Sequence, residues 1–193
     1  ATDSVRPRTG NVSAGTSAQG DMDEAGVISH NFLSGDALVH LPAGRPLTMR
    51  RPGSALTLAG LMRSHLFSLF ASMAHGIRVL RRCADVPIDS MSAHGSVFAT
   101  PEIPQRALAV AFDTPVSVAA TASQGGAWGM SLLAGYLLWG RGRTLEDYLD
   151  REIFADARSV TITATAEEVA EYGRYLERFI AALPVQATAV EVF

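Results

Sequence analysis

The sequence holds a single cysteine, Cys83, among 193 residues. No intramolecular disulfide can form, and a reducing, cytoplasmic setting is expected. The preceding Arg81-Arg82 pair would favour the thiolate. With nothing else nearby that suggests nucleophilic catalysis, a half-buried structural thiol at a helix end is the expected role. Charge is also sparse: only 18% of residues are charged and the formal net charge is −3, which argues against an extended nucleic-acid surface. Arg50-Arg51 and Arg81-Arg82 read as solvated loop or helix-end arginines. No apolar run reaches the roughly 18 to 20 residues that a membrane helix needs. The opening ATDSVRPRTGNVSAGTS lacks the apolar centre of a secretory signal. There is no P-loop lysine pattern and no long dinucleotide fingerprint. His30, His40, His65, His75 and His94 show no metal-ligand spacing, so no protein-held metal is expected. The chain starts at Ala1 rather than methionine, which suggests a fragment, a processed product or part of a longer polypeptide.

What is present is apolar: 48% of the residues, enough for a substantial core. Residues 1–54 read as a loop-rich lead-in, with a short strand near Asn11 to Ser17 and at most a short hairpin between His30 and Ser54. That stretch is broken by SGD, PAGRP and RRPGS and is expected to be too polar to supply a core. Residues 55–193 carry the periodic elements. In Ala55 to Cys83, the positions Leu58, Met62, Leu66, Leu69, Met73, Ile77 and Leu80 step by three and four. The spacing predicts one long helix burying that stripe, with Ser54 as its N-cap. Gly76 inside it suggests a close crossing by a neighbour. Val86 to Met91 reads as a strand, and Pro101 to Phe112 as a helix burying Ile103, Leu108, Ala111 and Phe112. Val116 to Ala120 reads as a second strand, and Gly125 to Leu138 as a third helix. Thr144 to Asp150 is expected to be helical, residues 160–164 to be strand, and Ala166 to Leu183 to be an amphipathic helix burying Val169, Tyr172, Leu176, Phe179 and Ile180. Alternation of helices and strands implies an α/β layer.

Three turns are candidates for chemistry. In TASQGGAWGMSLLAGY a buried strand ends, and two glycines open an apolar helix whose first amides suit phosphate or the edge of a nucleotide. The alternative is that Gly125, Gly126 and Gly129 only permit tight packing. Ala93-His94-Gly95-Ser96 follows another strand and would sit at the carboxyl edge, where α/β proteins bind ligands; His94 equally suits packing within the turn. Gly15-Thr16-Ser17 offers a glycine and two hydroxyls to a phosphate, or is an ordinary polar turn. Asp85, Asp89 and Asp113 fall at element ends and read as caps or turn residues.

In order, NVSAGTS, NFLSGDALVHLPAGRPLTMRRP and AHGSVFATPEIPQRALAVAFDTPVSVAATASQGGAWGMSLLAGY resemble the C-terminal domain of FGGY-family carbohydrate kinases, in particular the ribulokinase-like pentulose kinases. The likeness covers most of residues 1–150. It implies a ribonuclease-H/actin-like ATPase fold, the C-terminal half of a two-domain sugar kinase, with ATP in the cleft between the domains and magnesium carried by the ATP. It also implies that Gly15, Thr16 and Ser17 approach the phosphates, that Gly95 and Ser96 border the nucleotide, and that Gly125, Gly126 and Ala127 hold its adenosine. Gln105 is a further contact candidate. The implied partners are a sugar, a pentulose such as ribulose or xylulose, and an N-terminal kinase domain carrying the catalytic aspartate. No membrane or nucleic-acid partner is implied, and no catalytic base is assigned to this chain.

The chain departs from the family pattern at Ala93 and Ser96, where glycine is usual, at Ala99, where the related branch has lysine, and at Gln124, where it has glutamate. A missing lysine near phosphates weakens electrostatic stabilisation of phosphoryl transfer. Ala18 to His30 is too short for the two strands the family has there, so either residues are lacking or the sheet has lost strands. The chain alone is expected to bind nucleotide without kinase turnover. Apolar surface left by a missing half-domain would promote self-association. The competing expectation is a non-catalytic, actin-like interaction or sugar-sensing module with a degenerate nucleotide site; a purely helical scaffold would leave the two strands without partners.

Overall fold

A computed structural model of the chain describes residues 26–84, 86–122, 125–155 and 157–193. The strand expected near Asn11 to Ser17, and Asp85, lie outside the described residues. The chain divides into two compact units: residues up to Val86 together with Ala166–Phe193, and residues Pro87–Thr165 between them.

In the first unit, β1 (Val27–Asn31) and β2 (Pro46–Arg50) pair antiparallel, with Ser29 opposite Thr48. Strand β1 is buried nearly throughout, and Phe32, Val39 and Leu41 after it are buried too. This segment supplies core, contrary to the loop-rich expectation. The polar residues Ser29 and His30 can be buried because each is hydrogen-bonded to a neighbouring element. Helix α1 (Leu58–Cys83) lies against β1 and starts at Thr57, whose hydroxyl accepts from the Gly60 amide at 3.0 Å. Thr57, not Ser54, is the cap.

The period of α1 is as expected, but its buried face is different. Gly60, Ser64, Phe67, Ser68, Phe70, Ala71 and Ala74 are buried, whereas Leu58, Leu69, Met73 and Leu80 of the aliphatic stripe are exposed. Small side chains let the helix approach β1 closely enough for the Ser29 and Ser64 hydroxyls to hydrogen-bond. The remaining volume is filled from α5 (Ala166–Ala181), which buries Tyr172, Tyr175, Leu176 and Phe179. The Tyr175 hydroxyl donates to Ser64 O at 3.1 Å and that of Tyr172 to Phe67 O at 3.2 Å. Burial pushes both phenols above their ordinary pKa, so each stays a donor. Arg63 and Glu171 add a 2.9 Å ion pair between the helices. Next to Gly76, the nearest neighbour of an added Cβ is Leu38 at 3.3 Å, a close approach by one side chain. Cys83 sits at the end of α1 as expected, but is exposed rather than half-buried.

Helix α5 stops at Ala181, and Pro184 begins α6 (Leu183–Val192). Gln186 of α6 is completely buried. Its side-chain amide receives the Arg45 N–H at 3.0 Å and donates to Arg45 O at 2.7 Å, pairing with the chain just before β2 as a strand would.

The second unit is built on a three-stranded sheet in the order β3 (Met91–Ser92), β4 (Val116–Ala119), β5 (Ser159–Ile162). Strands β3 and β4 are parallel; β4 and β5 are antiparallel, with Val116 opposite Ile162. Strand β3 starts later than the sequence pattern suggests, because its pairing begins where Met91 N–H meets Pro115 O at 2.9 Å. Helix α2 (Ile103–Phe112) crosses over between them and buries Ala107, Leu108, Ala109, Val110 and Phe112. Helix α3 (Gly125–Trp139) follows β4, and α4 (Leu145–Tyr148) runs into a wider helical turn over Leu149–Ile153. In α3 only Gly135 is buried, where the Tyr148 hydroxyl would lie 2.9 Å from an added Cβ.

Candidate functional site

Strands β3 and β4 run parallel, so the turns that follow them emerge at the same, carboxyl edge of the sheet. The first turn is Ala93 to Ser96. Ala93 is buried and its N–H donates to Ser117 O at 2.9 Å, extending the pairing one residue beyond β3. Gly95 then takes φ +121° and ψ 164°, a conformation open essentially to glycine alone. In it, Gly95 N–H donates to Ala122 O at 2.8 Å, which fastens this turn to the one after β4. Ser96 is exposed and starts a short 3-10 turn, Ser96–Ala99.

The second turn leads into α3. A Cβ on Gly125 would come within 2.9 Å of the His94 Cβ, so glycine is required there by the contact between the two turns. His94 itself is exposed, with its Cβ close to the Gly125 backbone. Gly126 and Gly129 differ: among the described residues nothing lies within 4 Å of a Cβ placed on either. Tight packing explains Gly125 and leaves the other two unexplained. Gly126 and Ala127 are exposed, with the amides of the first turn of α3 at the carboxyl edge.

Beside these turns lies a cavity of about 460 Å³. Its walls are Phe98, Ala99 and Pro101 from the first turn, Val118 to Ala120 and Ala122 from the end of β4, and Ser159 and Val160 from the start of β5. Gln105 also lines it, but both of its amide hydrogens are committed, to Val116 O and to Val160 O at 2.7 Å each. Buried Gln105 thus cross-links β4 and β5 from α2. Among the described residues, the charged ones lining it are Glu102 and Arg158, neither singled out by the sequence pattern. The sequence signals were an acidic residue between Pro101 and the apolar helix, and an arginine directly before a strand.

The structure therefore brings Gly95, Ser96, Gly125, Gly126 and Ala127 to the carboxyl edge of the sheet, whereas Gln105 lies in α2, bonds Val116 at the start of β4, and alone of these six lines the cavity. Gly15, Thr16, Ser17 and Gln124 lie outside the described residues. Among the described residues, no three His, Cys, Asp or Glu side chains converge to hold a metal ion, and no helix is long and apolar enough to cross a membrane. The residues present suit a nucleotide: amides at the open start of α3 for polar edges, and a cavity of roughly small-molecule size with apolar walls for a ring.

Comparison with known proteins supplies a relationship. Residues 6–138 match the model of the C-terminal domain of the FGGY family of carbohydrate kinases. No curated protein matches the chain. Among solved structures, xylulose kinase from Rhodospirillum rubrum is similar at 17% identity and TM-score 0.59, covering 93% of this chain and 34% of that one. Gluconate kinase from Lactobacillus acidophilus is similar at 15% identity and TM-score 0.68, covering 90% and 34%. Plasmodium falciparum glycerol kinase, solved with ADP, is similar at 12% identity and TM-score 0.61, covering 87% and 33%. At these identities the likeness is one of fold, the actin-like ATPase fold of such kinases, here with small sheets among the described residues. The chain spans about a third of the length of each of these structures.

Proposed function

The chain belongs to the FGGY family of carbohydrate kinases, by its C-terminal domain, and from that membership we propose that it supplies the ATP-binding half of an ATP-dependent sugar kinase. The observation that carries the reading is the fastening of two sequence-distant turns, by Gly95 N–H to Ala122 O and by Gly125 against His94, at the carboxyl edge of parallel strands. Gly95 and Ser96 then border the nucleotide, Gly125, Gly126 and Ala127 face its adenosine portion, and Gly15, Thr16 and Ser17 approach the phosphates. Gln105 acts by holding β4 to β5 under the site rather than by donating to the ligand. The substrate class is a sugar, in our reading a pentulose such as ribulose or xylulose. Magnesium enters with the ATP, and the setting is cytoplasmic.

Catalysis belongs to a further domain. In-line transfer of a phosphoryl group needs an attacking hydroxyl held and deprotonated beside it. Neither Asp89 nor Asp113 is placed for that: Asp113 is a left-handed residue closing α2, and Asp89 lies in the chain leading to β3. The exposed apolar side chains of α3, and a length one third that of the similar kinases, support an N-terminal partner domain.

Calorimetric titration with ATP and ADP, with a coupled assay on ribulose and xylulose, tests this. The expected result is saturable nucleotide binding with no turnover by the chain alone. Robust turnover would refute the division of labour, and absence of binding would favour a second reading, a non-catalytic interaction or sugar-sensing module. One observation favours that second reading: the cavity wall at Ala99 presents a methyl group and no charge.

A further inference from the structure

Glu102 stands out in the second unit because its backbone is strained where its carbonyl accepts the Arg106 N–H at 2.7 Å to open α2, while its carboxylate makes no bond to that helix. Its backbone sits at φ +64°, ψ −51°, and the Ile103 N–H donates across it to Pro101 O at 2.7 Å. That is the tight three-residue turn of positive φ, rare and strained for a residue with a Cβ. Glycine is the residue that would relieve it. The position directly precedes α2, yet the carboxylate makes no capping bond to the helix. Among the described residues it forms no ion pair. It lines the 460 Å³ cavity instead.

The other lining residues define what such a carboxylate would meet. Phe98, Pro101, Val118, Ala119, Ala120, Ala122 and Val160 offer apolar walls, and both amide hydrogens of Gln105 are consumed by strand carbonyls. An ionised carboxylate only accepts hydrogen bonds, so its complement in a ligand is a donor, and a pair of neighbouring hydroxyls satisfies both oxygens. Arg158, the one cationic side chain among the described lining residues, would offset the repulsion between Glu102 and an anionic ligand. Flat apolar surface, a hydroxyl acceptor and a single cation match the base, ribose and phosphate of a nucleotide.

Resting on the nucleotide reading above, we propose that Glu102 is a specificity-determining residue that accepts hydrogen bonds from the ribose hydroxyls of the bound nucleotide, with Arg158 balancing its charge. The strained turn places Glu102, an exposed residue, on the cavity's lining. The residue therefore discriminates nucleotides by their sugar.

The test is titration of the full chain and of Glu102→Gly and Glu102→Gln with ATP and with 2′,3′-dideoxy-ATP. In the parent, ATP binds about tenfold more tightly than the dideoxy analogue, the loss expected for hydrogen bonds to a charged group. Both variants lose that discrimination by weakening ATP while leaving the dideoxy analogue unchanged. Glu102→Gly, freed of the positive-φ strain, melts no lower than the parent, which separates lost recognition from lost folding. If the variants weaken both nucleotides equally, or if ATP discrimination persists in them, the role of Glu102 is overturned while the nucleotide site stands. If no nucleotide binds the parent, the nucleotide reading falls and this inference with it.

Discussion

His30 is packed edge-on against Phe179, ring centroids 4.5 Å apart, and its Nε2 meets Phe179 O at 3.0 Å. Its Nδ1 is buried with no hydrogen-bond partner among the described residues. This arrangement suits a neutral imidazole with Nε2 as the donor. Burial pushes the pKa below its ordinary value of 6.5, and the bond to Phe179 opposes the shift only in part. The folded state therefore binds this proton less readily than the unfolded state. The linked stability is fully present above pH 6.5 and is lost as pH falls through the lower, folded-state value. Urea unfolding followed from pH 7.5 to 5 should show stability declining below pH 6.5, with the decline much reduced in His30→Gln. An equal decline in both proteins would assign the effect to other groups. Glu152, whose pKa is lowered by its hydrogen bond to Arg143, acts below its ordinary 4.5 and outside that window.

Helix α3 has two glycines in its first turn, with different reasons for being there. A methyl at Gly125 runs into His94, whereas a methyl at Gly126 meets nothing within 4 Å among the described residues. Alanine also favours a helix over glycine by up to about 1 kcal/mol. Gly125→Ala should lower stability by roughly 1–3 kcal/mol through overpacking, and Gly126→Ala should leave it level or raise it. For nucleotide binding the order should reverse where the ligand approaches the open side: Gly126→Ala weakens ATP without loss of fold. Thermal melts and ATP titration on the pair check this. Equal destabilisation by both would mean that neither glycine is reserved for a ligand. Helix α1 gives a related lesson, since its core face is drawn by Ser64, Phe67, Ala71 and Ala74 rather than by its leucines.

At the scale of the molecule, much apolar surface remains uncovered. On α3, Met130, Leu137 and Leu138 are 69%, 84% and 71% exposed, and Trp139 at its end is also exposed. Large apolar side chains left exposed together on one helix favour association. The isolated chain should therefore self-associate with rising concentration, and Leu137→Glu with Leu138→Glu should suppress that in light scattering with an unchanged melting temperature. A marked fall in melting temperature would show instead that these side chains are packed within the fold.

Local rules determined much of this protein in advance. Three-to-four spacing placed α1, an amphipathic face placed α5, a proline start with an apolar face placed α2 and a glycine pair placed the start of α3, each to within a few residues, and short apolar runs placed β4 and β5, because hydrogen bonding and capping act between near neighbours. The glycine pair at the start of α3 and the AHGS turn were legible for the same reason. Burial was legible for α2 and α5, where Leu108, Phe112, Tyr172, Leu176 and Phe179 are buried as their spacing implies, but not for α1 or β1, where it depends on partners far away in sequence. Which face of α1 turns inward was decided by the close approach of β1 and by Tyr172 and Tyr175 from a helix about a hundred residues on. His30 and Gln186 became core residues only through Phe179 O and the Arg45 backbone. The meeting of Gly95 with Ala122, and of Glu102 with Arg158 around one cavity, came from a parallel crossover and an antiparallel return that no local spacing encodes.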